Sequence, residues 1–264
     1  MEDQVLRLAD KVWETYQALP DDGRRLLIGI AGIPGSGKTT LAQIISSRVN
    51  ERAAAAAATK ASSSLSSSSS PSPSITASSG APPPPSSSSP ATYVPMDGFH
   101  LTRATLSSMP DPARAHARRG AAFTFDAPKF LSLVRRLRAY PPPASPILAP
   151  SFDHAVKDPR DDDIPVLASH RVVVLEGNYL ALDEPVWRDA AALLDELWFV
   201  DVDFQVARKR LRERHVRAGI ARDLDEGDRR ATENDLVNGE HIVKHRLKVD
   251  EVVESKEDGA WVHE

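Results

Sequence analysis

Apolar residues are spaced along this chain in two rhythms. Short unbroken runs, Leu26-Leu27-Ile28-Gly29-Ile30-Ala31, Val172-Val173-Val174-Leu175 and Leu197-Trp198-Phe199-Val200, have the length and apolar continuity of strands buried on both faces. Tyr93-Val94-Pro95-Met96-Asp97 and the segment Val249 to Val253 read as two more strands. Elsewhere the spacing is helical. Val5, Leu8, Val12 and Leu19, with Trp13 and Tyr16, predict an amphipathic helix stopped by Pro20 and the turn-like Asp21-Asp22-Gly23. Leu41, Ile44, Ile45 and Val49 follow the first strand. Phe130, Leu133, Val134 and Leu137 share the face of a helix capped by Asp126 and closed by the prolines at 141 to 143. Pro185 opens another helix, a long basic helix begins near Phe204 and breaks at Gly219, and a polar helical region runs to about Leu247. Strands alternating with helices predict an α/β fold: a parallel, five-stranded sheet covered on both faces in three layers.

Two stretches follow neither rhythm. From 53 to 91 the chain is almost wholly Ala, Ser, Pro and Thr, which cannot form a core and reads as a disordered insertion within one domain spanning 1–264. The alanines from Ala53 to Ala58 can extend the preceding helix before Ser and Pro end it. A coil of this length spans roughly 35 Å, so it can leave and re-enter a fold without straining it. The Pro- and Asp-rich stretch that ends near Pro165 reads mostly as loop.

Of 264 residues, those outside the insertion suffice for one α/β domain. A net charge of −4 argues against nucleic acid as a partner. The absence of cysteine excludes disulfides, thiolate metal sites and cysteine nucleophiles. No apolar run reaches the length of a membrane span. Glu2, Asp3 and Asp10 near the N-terminus do not suit a secretory or transit segment, which makes the cytoplasm the expected location. Oligomeric state is left open.

Between the first strand and its helix stands Gly32-Ile33-Pro34-Gly35-Ser36-Gly37-Lys38-Thr39, which fits G-x-x-x-x-G-K-[ST], the phosphate-binding loop (P-loop). Strand before and helix after are the context in which the motif works: backbone amides and the positive helix end face an anion. The loop and Thr40 after it are candidate ATP contacts. Lys38 supplies a charge for the β/γ-phosphates, and the Thr39 hydroxyl a ligand for Mg²⁺. A GTPase would need an N-K-x-D motif late in the chain, and there is none.

Ligands of such sheets sit at the carboxyl ends of the strands. There the second strand ends on Asp97, a candidate base for an acceptor hydroxyl or a loop-capping residue, and the third on Glu176, a candidate Mg²⁺ holder or a residue that fixes the Gly177 turn. The basic helix, with Arg208, Lys209, Arg210, Arg212, Arg214, His215 and Arg217, reads as an Arg-rich lid over ATP or as a solvated charged face. Arg210 and Arg214 are the candidates for phosphate contact, and Arg214 also for catalysis.

Together the P-loop, Val94-Pro95-Met96-Asp97-Gly98-Phe99-His100, Arg119-Gly120 with Thr124-Phe125-Asp126, and Leu175-Glu176-Gly177-Asn178-Tyr179-Leu180 resemble the phosphoribulokinase/uridine kinase family of P-loop kinases, which includes bacterial pantothenate kinase. Within it the chain resembles the branch of fungal uridine-kinase-like proteins and bacterial sugar-transport-associated kinases, where a run like Arg214-His215-Val216 followed by Gly219 also occurs. The resemblance covers about 24 to 254 outside the insertion. It implies an ATP-dependent kinase acting on a hydroxyl of a small metabolite, with Asp97 as base, Lys38 and Thr39 serving phosphates and Mg²⁺, and Glu176 in the metal shell. It also implies acceptor contacts from His100, Arg103, Asp153, His154, Asn178 and Tyr179, although His100 can instead cap its loop and Asp153 and His154 can instead form a turn. Gly-Phe-His after Asp97, and a lid without an arginine-glycine-arginine pattern, depart from uridine kinases. Nucleoside, pantothenate-like and sugar-like acceptors all stay open, as does a non-catalytic ATP-binding role.

Overall fold

The computed structural model describes residues 2–65 and 89–256. Five strands form one sheet: β1 (Leu26–Gly32), β2 (Ala91–Pro95), β5 (Val172–Glu176), β6 (Glu196–Val202) and β7 (Glu251–Ser255). Their spatial order is β2-β5-β1-β6-β7 and every pairing is parallel, as the alternating pattern requires. Alternate residues of each strand feed opposite faces. Leu26, Ile28 and Ile30, with Val172, Val174, Trp198 and Val200, pack under α1 (Glu2–Ala18) and α2 (Lys38–Leu65). Leu27 and Ala31, with Val173, Leu175 and Phe199, face α5 (Ala127–Arg138), α6 (Trp187–Ala191) and α7 (Phe204–Arg217). Each fully buried Val, Leu or Ile contributes about 1.5–3 kcal/mol, so the two-sided burial of β1 and β5 makes them the stable centre of the fold.

The N-terminal helix forms as its apolar spacing predicts, burying Val5, Leu8, Ala9 and Val12. It is also tied to the sheet edge: Arg7 and Lys11 both bond Glu251 of β7, and the Arg7 bond leads in holding that carboxyl at about 2. Asp126 caps α5 by accepting from the Lys129 amide.

Two expectations need correction. The expected insertion begins later than 53: as the alanines allow, the helix that follows the P-loop runs through them and on to Leu65, alanine having the strongest helix propensity of all residues. Similarly, Ala91 is not part of the insertion but the buried first residue of β2. Asn50 of α2 brackets Ala91, its side chain donating to the Ala91 carbonyl at 3.0 Å and accepting from the Ala91 amide at 2.9 Å. The rest of the expected insertion, 66–88, lies outside the described residues. The Pro- and Asp-rich stretch is not loop: β3 (Ile147–Asp153) and β4 (Asp158–Val166) form an antiparallel hairpin. Its apolar alternation is short, and its order comes from contact with the 3₁₀ turn Met96–Phe99 after β2.

Short helices α3 (Arg103–Ser107) and α4 (Pro112–Ala117) follow that turn. After α7, α8 (Leu224–Arg230) passes through a π-helical turn, Ala231–Asp235, into α9 (Leu236–Lys244). Among the described residues no helix is long and apolar enough to cross a membrane.

Candidate active site

Because β2, β5 and β1 are adjacent and parallel, their carboxyl ends share one edge, with Pro95 opposite Glu176 and Glu176 opposite Ile30. The P-loop leaves β1 there and α2 starts at Lys38. Gly35 and Gly37 adopt φ of 78° and 94°, a left-handed backbone open at little cost only to glycine, which curls the loop around its centre. Ser36 is fully buried and its hydroxyl has no partner among the described residues. The Lys38 ammonium, 8 % exposed, donates to the Ile33 carbonyl at 3.2 Å, folding over its own loop.

Around Lys38 the structure gathers Glu176, Asp97 and Arg214, each close enough for its charge to bear on the ammonium. Burial pushes Lys38 down to about 8 against the pull of the two carboxylates. Burial likewise pushes Glu176 up to about 7, resisted by Lys38 and reinforced by Asp97. The Thr39 hydroxyl donates to Glu176 at 3.2 Å. Bound phosphates would draw Lys38 back up towards its ordinary value, since they add negative charge beside it. Thr39 and Glu176 offer hard oxygens on one side of the cradle, a donor set that fits Mg²⁺ held jointly with phosphate oxygens and water. Among the described residues there is no cluster of three or more His, Cys, Asp or Glu that would hold a metal unaided.

Asp97 is the second residue of the turn after β2 and is half-buried. Its position is set by a close approach: a Cβ on Gly98 would stand 2.1 Å from the Pro150 carbonyl oxygen of β3. The hairpin therefore presses directly on the residue that follows the carboxylate. His100 closes the turn, its Nδ1 2.9 Å from the Asp97 carbonyl and its ring 4.0 Å from Phe125 and 5.0 Å from Phe152. Burial lowers its pKa despite Asp97. A neutral ring that donates from Nδ1 keeps Nε2 free of a proton.

The other residues expected in an acceptor site divide. Arg103 stands at the start of α3, its backbone amide and guanidinium on Asp158 of β4. Asp153 is absorbed by the hairpin turn, accepting from the amides of Ala155 and Val156 at 2.9 Å, and His154 beside it is exposed. Asn178 is half-buried just past Glu176. Tyr179 is 1 % exposed, packed on Phe125 and Trp187, with its hydroxyl donating to the Gly120 carbonyl at 2.7 Å. That makes it a core residue that supports the Arg119-Gly120 loop. Residues the sequence leaves without an evident role complete this side. Arg119 bonds Asp158 at 2.9 Å and the Leu101 carbonyl and lies over Phe152, while Asn234 in the π-turn donates to the Arg119 carbonyl. Arg118 donates to Asn238 of α9. Pairing between the Arg118–Gly120 loop and a helix over a hundred residues away leaves no local sequence signal.

Of the lid candidates, Arg210 braces the P-loop from outside, donating to the carbonyls of Gly35 and Lys256 and to the Ser255 hydroxyl. Arg208 pairs with Asp228 of α8. The Arg214 guanidinium makes no hydrogen bond or ion pair among the described residues, yet its charge reaches both Lys38 and Glu176.

A P-loop at the carboxyl edge of a parallel sheet, with a carboxylate on each of the next two strands, defines the P-loop kinase class. Comparison with known proteins agrees. An ATP-dependent kinase-like protein of Aspergillus versicolor, notR', is 53% identical over 159 residues, 60% of this chain and 92% of its own length. A Schizosaccharomyces pombe protein, C227.14, provisionally named a uridine kinase, is 34% identical over 245 residues, 93% of this chain and 89% of its own. The ATP-dependent kinase YFH7 of Saccharomyces cerevisiae is 34% identical over 200 residues, and the match spans 56% of its length. The crystal structure of YFH7, provisionally described as a P-loop kinase with a circular permutation, superposes with a TM-score of 0.74 at 26% identity, covering 96% of this chain and 99% of that one. A provisionally named fructose transport system kinase of a Silicibacter species superposes at 0.69 with 29% identity, covering 94% and 98%. No family model matches. The chain belongs to the uridine-kinase-like family of ATP-dependent P-loop kinases.

Proposed function

We propose that this protein transfers the γ-phosphoryl group of ATP to a hydroxyl of a small metabolite. The observation that carries the reading is the convergence of Lys38, Thr39, Glu176 and Asp97 at one edge of the sheet, with Lys38 and Glu176 buried and within reach of each other's charge. In this reading the P-loop amides and Lys38 hold the β/γ-phosphates. Thr39 and Glu176 would hold Mg²⁺, which when bound would neutralise phosphate charge. The acceptor hydroxyl meets Asp97 at the carboxyl edge of the sheet. Asp97 takes its proton as the new O–P bond forms and the β,γ-bridging bond breaks, leaving ADP. Arg214, unpaired among the described residues and within charge range of Lys38 and Glu176, stabilises charge on the transferring group. His100, Arg103, Arg119 and Asn178 stand where the acceptor would be read, and nucleoside, pantothenate-like and sugar-like hydroxyls remain the classes to try.

The test is ADP release by the purified full chain with ATP·Mg²⁺ and a panel of those acceptors, beside Lys38→Ala as control. Acceptor-dependent ADP formation that Lys38→Ala abolishes is expected. Tight ATP binding with no turnover on any acceptor, or turnover undiminished in Lys38→Ala, would overturn the reading.

A further inference from the structure

His215 follows Arg214 on α7 and is 4 % exposed. Its Nε2 lies 2.7 Å from the carboxylate of Asp235, the last residue of the π-turn between α8 and α9. A carboxylate accepts, so Nε2 carries the proton and donates. The other ring nitrogen, Nδ1, is buried and has no partner among the described residues. Asp235 is therefore the imidazole's sole polar anchor among the described residues.

Both ends of this bond are well placed to set the lid. On the α7 side, the His215 carbonyl accepts from the amides of Ile220 and Ala221 at 2.9 and 3.0 Å, so the helix terminates and the chain reverses on the same residue that holds the bond. On the other side, Asn234, adjacent to Asp235, holds the Arg119 carbonyl, and α9 lays Gly239 against Ile33 of the P-loop, where a Cβ would meet the Ile33 side chain at 3.3 Å. A π-turn inside a helical segment is a locally widened geometry often found at functional sites, and here it turns two consecutive side chains to two different duties.

We propose that the His215–Asp235 bond is a catch that fixes where the Arg214 guanidinium stands over the phosphate cradle, making His215 a positioning residue for Arg214. The proposal rests on the reading of Arg214 as a phosphate contact. Arg214 has no bond of its own among the described residues to hold it, so its placement comes from the helix, and the last turn of that helix is fastened through His215. Without the catch the guanidinium would sample positions off the γ-phosphate, and part of its contribution would be lost.

The experiment is a double-mutant cycle on the full chain, read by isothermal titration with ATP·Mg²⁺, by ADP-forming turnover and by melting. His215→Ala is expected to weaken nucleotide affinity about fivefold, within the range of coupling between neighbouring residues. Asp235→Ala should do the same by breaking the bond from its more accessible end, and it serves should His215→Ala fail to fold. His215→Gln, which keeps a donor near the Nε2 position, should recover most of the affinity. In an Arg214→Ala background neither change should weaken affinity further. Equal loss with and without Arg214 would overturn the proposal and leave His215 as a packing residue, with the kinase reading intact. If Arg214→Ala alone leaves affinity and turnover unchanged, the phosphate role of Arg214 falls and the catch falls with it.

Discussion

Thr39 Oγ1 donates to Glu176 Oε1 across 3.2 Å, joining the first turn of the phosphate helix to the tip of β5. The bond crosses from one structural layer to another, and Glu176, 5 % exposed, is held in an environment that resists its charge.

The pH dependence of stability should report that resistance. Glu176 titrates at about 7 in the folded chain against an ordinary glutamate value of 4.5, so the folded state keeps a proton that the unfolded chain has released. Its contribution is then fully present below pH 4.5 and is lost as pH rises through 7. Lys38 shifts the other way, from 10.5 to about 8, so the unfolded chain holds the extra proton and the change falls mainly above pH 8. Denaturant unfolding of the ligand-free chain and of Glu176→Gln between pH 5 and 8 should differ by a margin that moves against the wild type by up to about 3 kcal/mol across the range. A margin that does not change with pH would refute the burial of a titrating Glu176.

Asp97→Asn keeps the shape of the side chain and cannot accept a proton. Turnover is expected to drop about 10²–10⁴-fold with ATP affinity nearly unchanged, as for loss of a positioned base. Titration with ATP·Mg²⁺ beside steady-state rates checks this. A parallel loss of nucleotide affinity would indicate instead that the carboxylate serves the metal.

Gly98→Ala tests how Asp97 is held. The new methyl would lie 2.1 Å from a backbone oxygen of β3, which cannot swing aside as a side chain can. Overpacking of this kind costs about 1–3 kcal/mol, and the hairpin must move away from the Asp97 turn. Turnover should fall more than ATP affinity, because the P-loop belongs to β1. Unchanged melting and rate would show that the hairpin is free to retreat.

The central strands, their parallel order and the P-loop are legible in the sequence because apolar runs and a glycine-lysine motif are local signals. Asp97 and Glu176 could be located for the same reason: each directly follows a readable strand. The β3–β4 hairpin could not, since Asp158-Pro159-Arg160-Asp161-Asp162-Asp163 has no alternating apolar face and owes its order to the Asp97 turn and to Arg103 and Arg119 on Asp158. Tyr179 stands in a motif that suggests ligand contact, but its ring is claimed by Phe125 and Trp187. His215–Asp235 and Asn234 with Arg119 join distant segments, and no spacing rule announces such pairs. The turn role of Asp153 was legible as an alternative, because aspartate commonly accepts from amides two and three residues on.

Deleting 55–88 should leave the sheet and the site in working order. Asn50 holds Ala91 by two hydrogen bonds, so the two flanks of the deletion already lie side by side, and residues 51–54 and 89–90 suffice to bridge the gap. Thermal melting and ATP affinity of the deletion variant are expected to match the parent closely. A collapse of either would show that the segment contributes to the fold.

The adjacency of β2, β5 and β1 also makes the sheet a ruler. Neighbouring strands keep a spacing of about 4.8 Å, so the tip that bears Asp97 and the tip that bears the P-loop are set about 10 Å apart by two backbone ladders. That gauge owes nothing to the side chains proposed to recognise an acceptor, which stand on the turn after β2, the start of α3, the Arg118–Gly120 loop and the turn after β5. Exchanging those attachments can change which hydroxyl is presented while the distance from base to phosphate cradle stays as the peptide hydrogen bonds dictate.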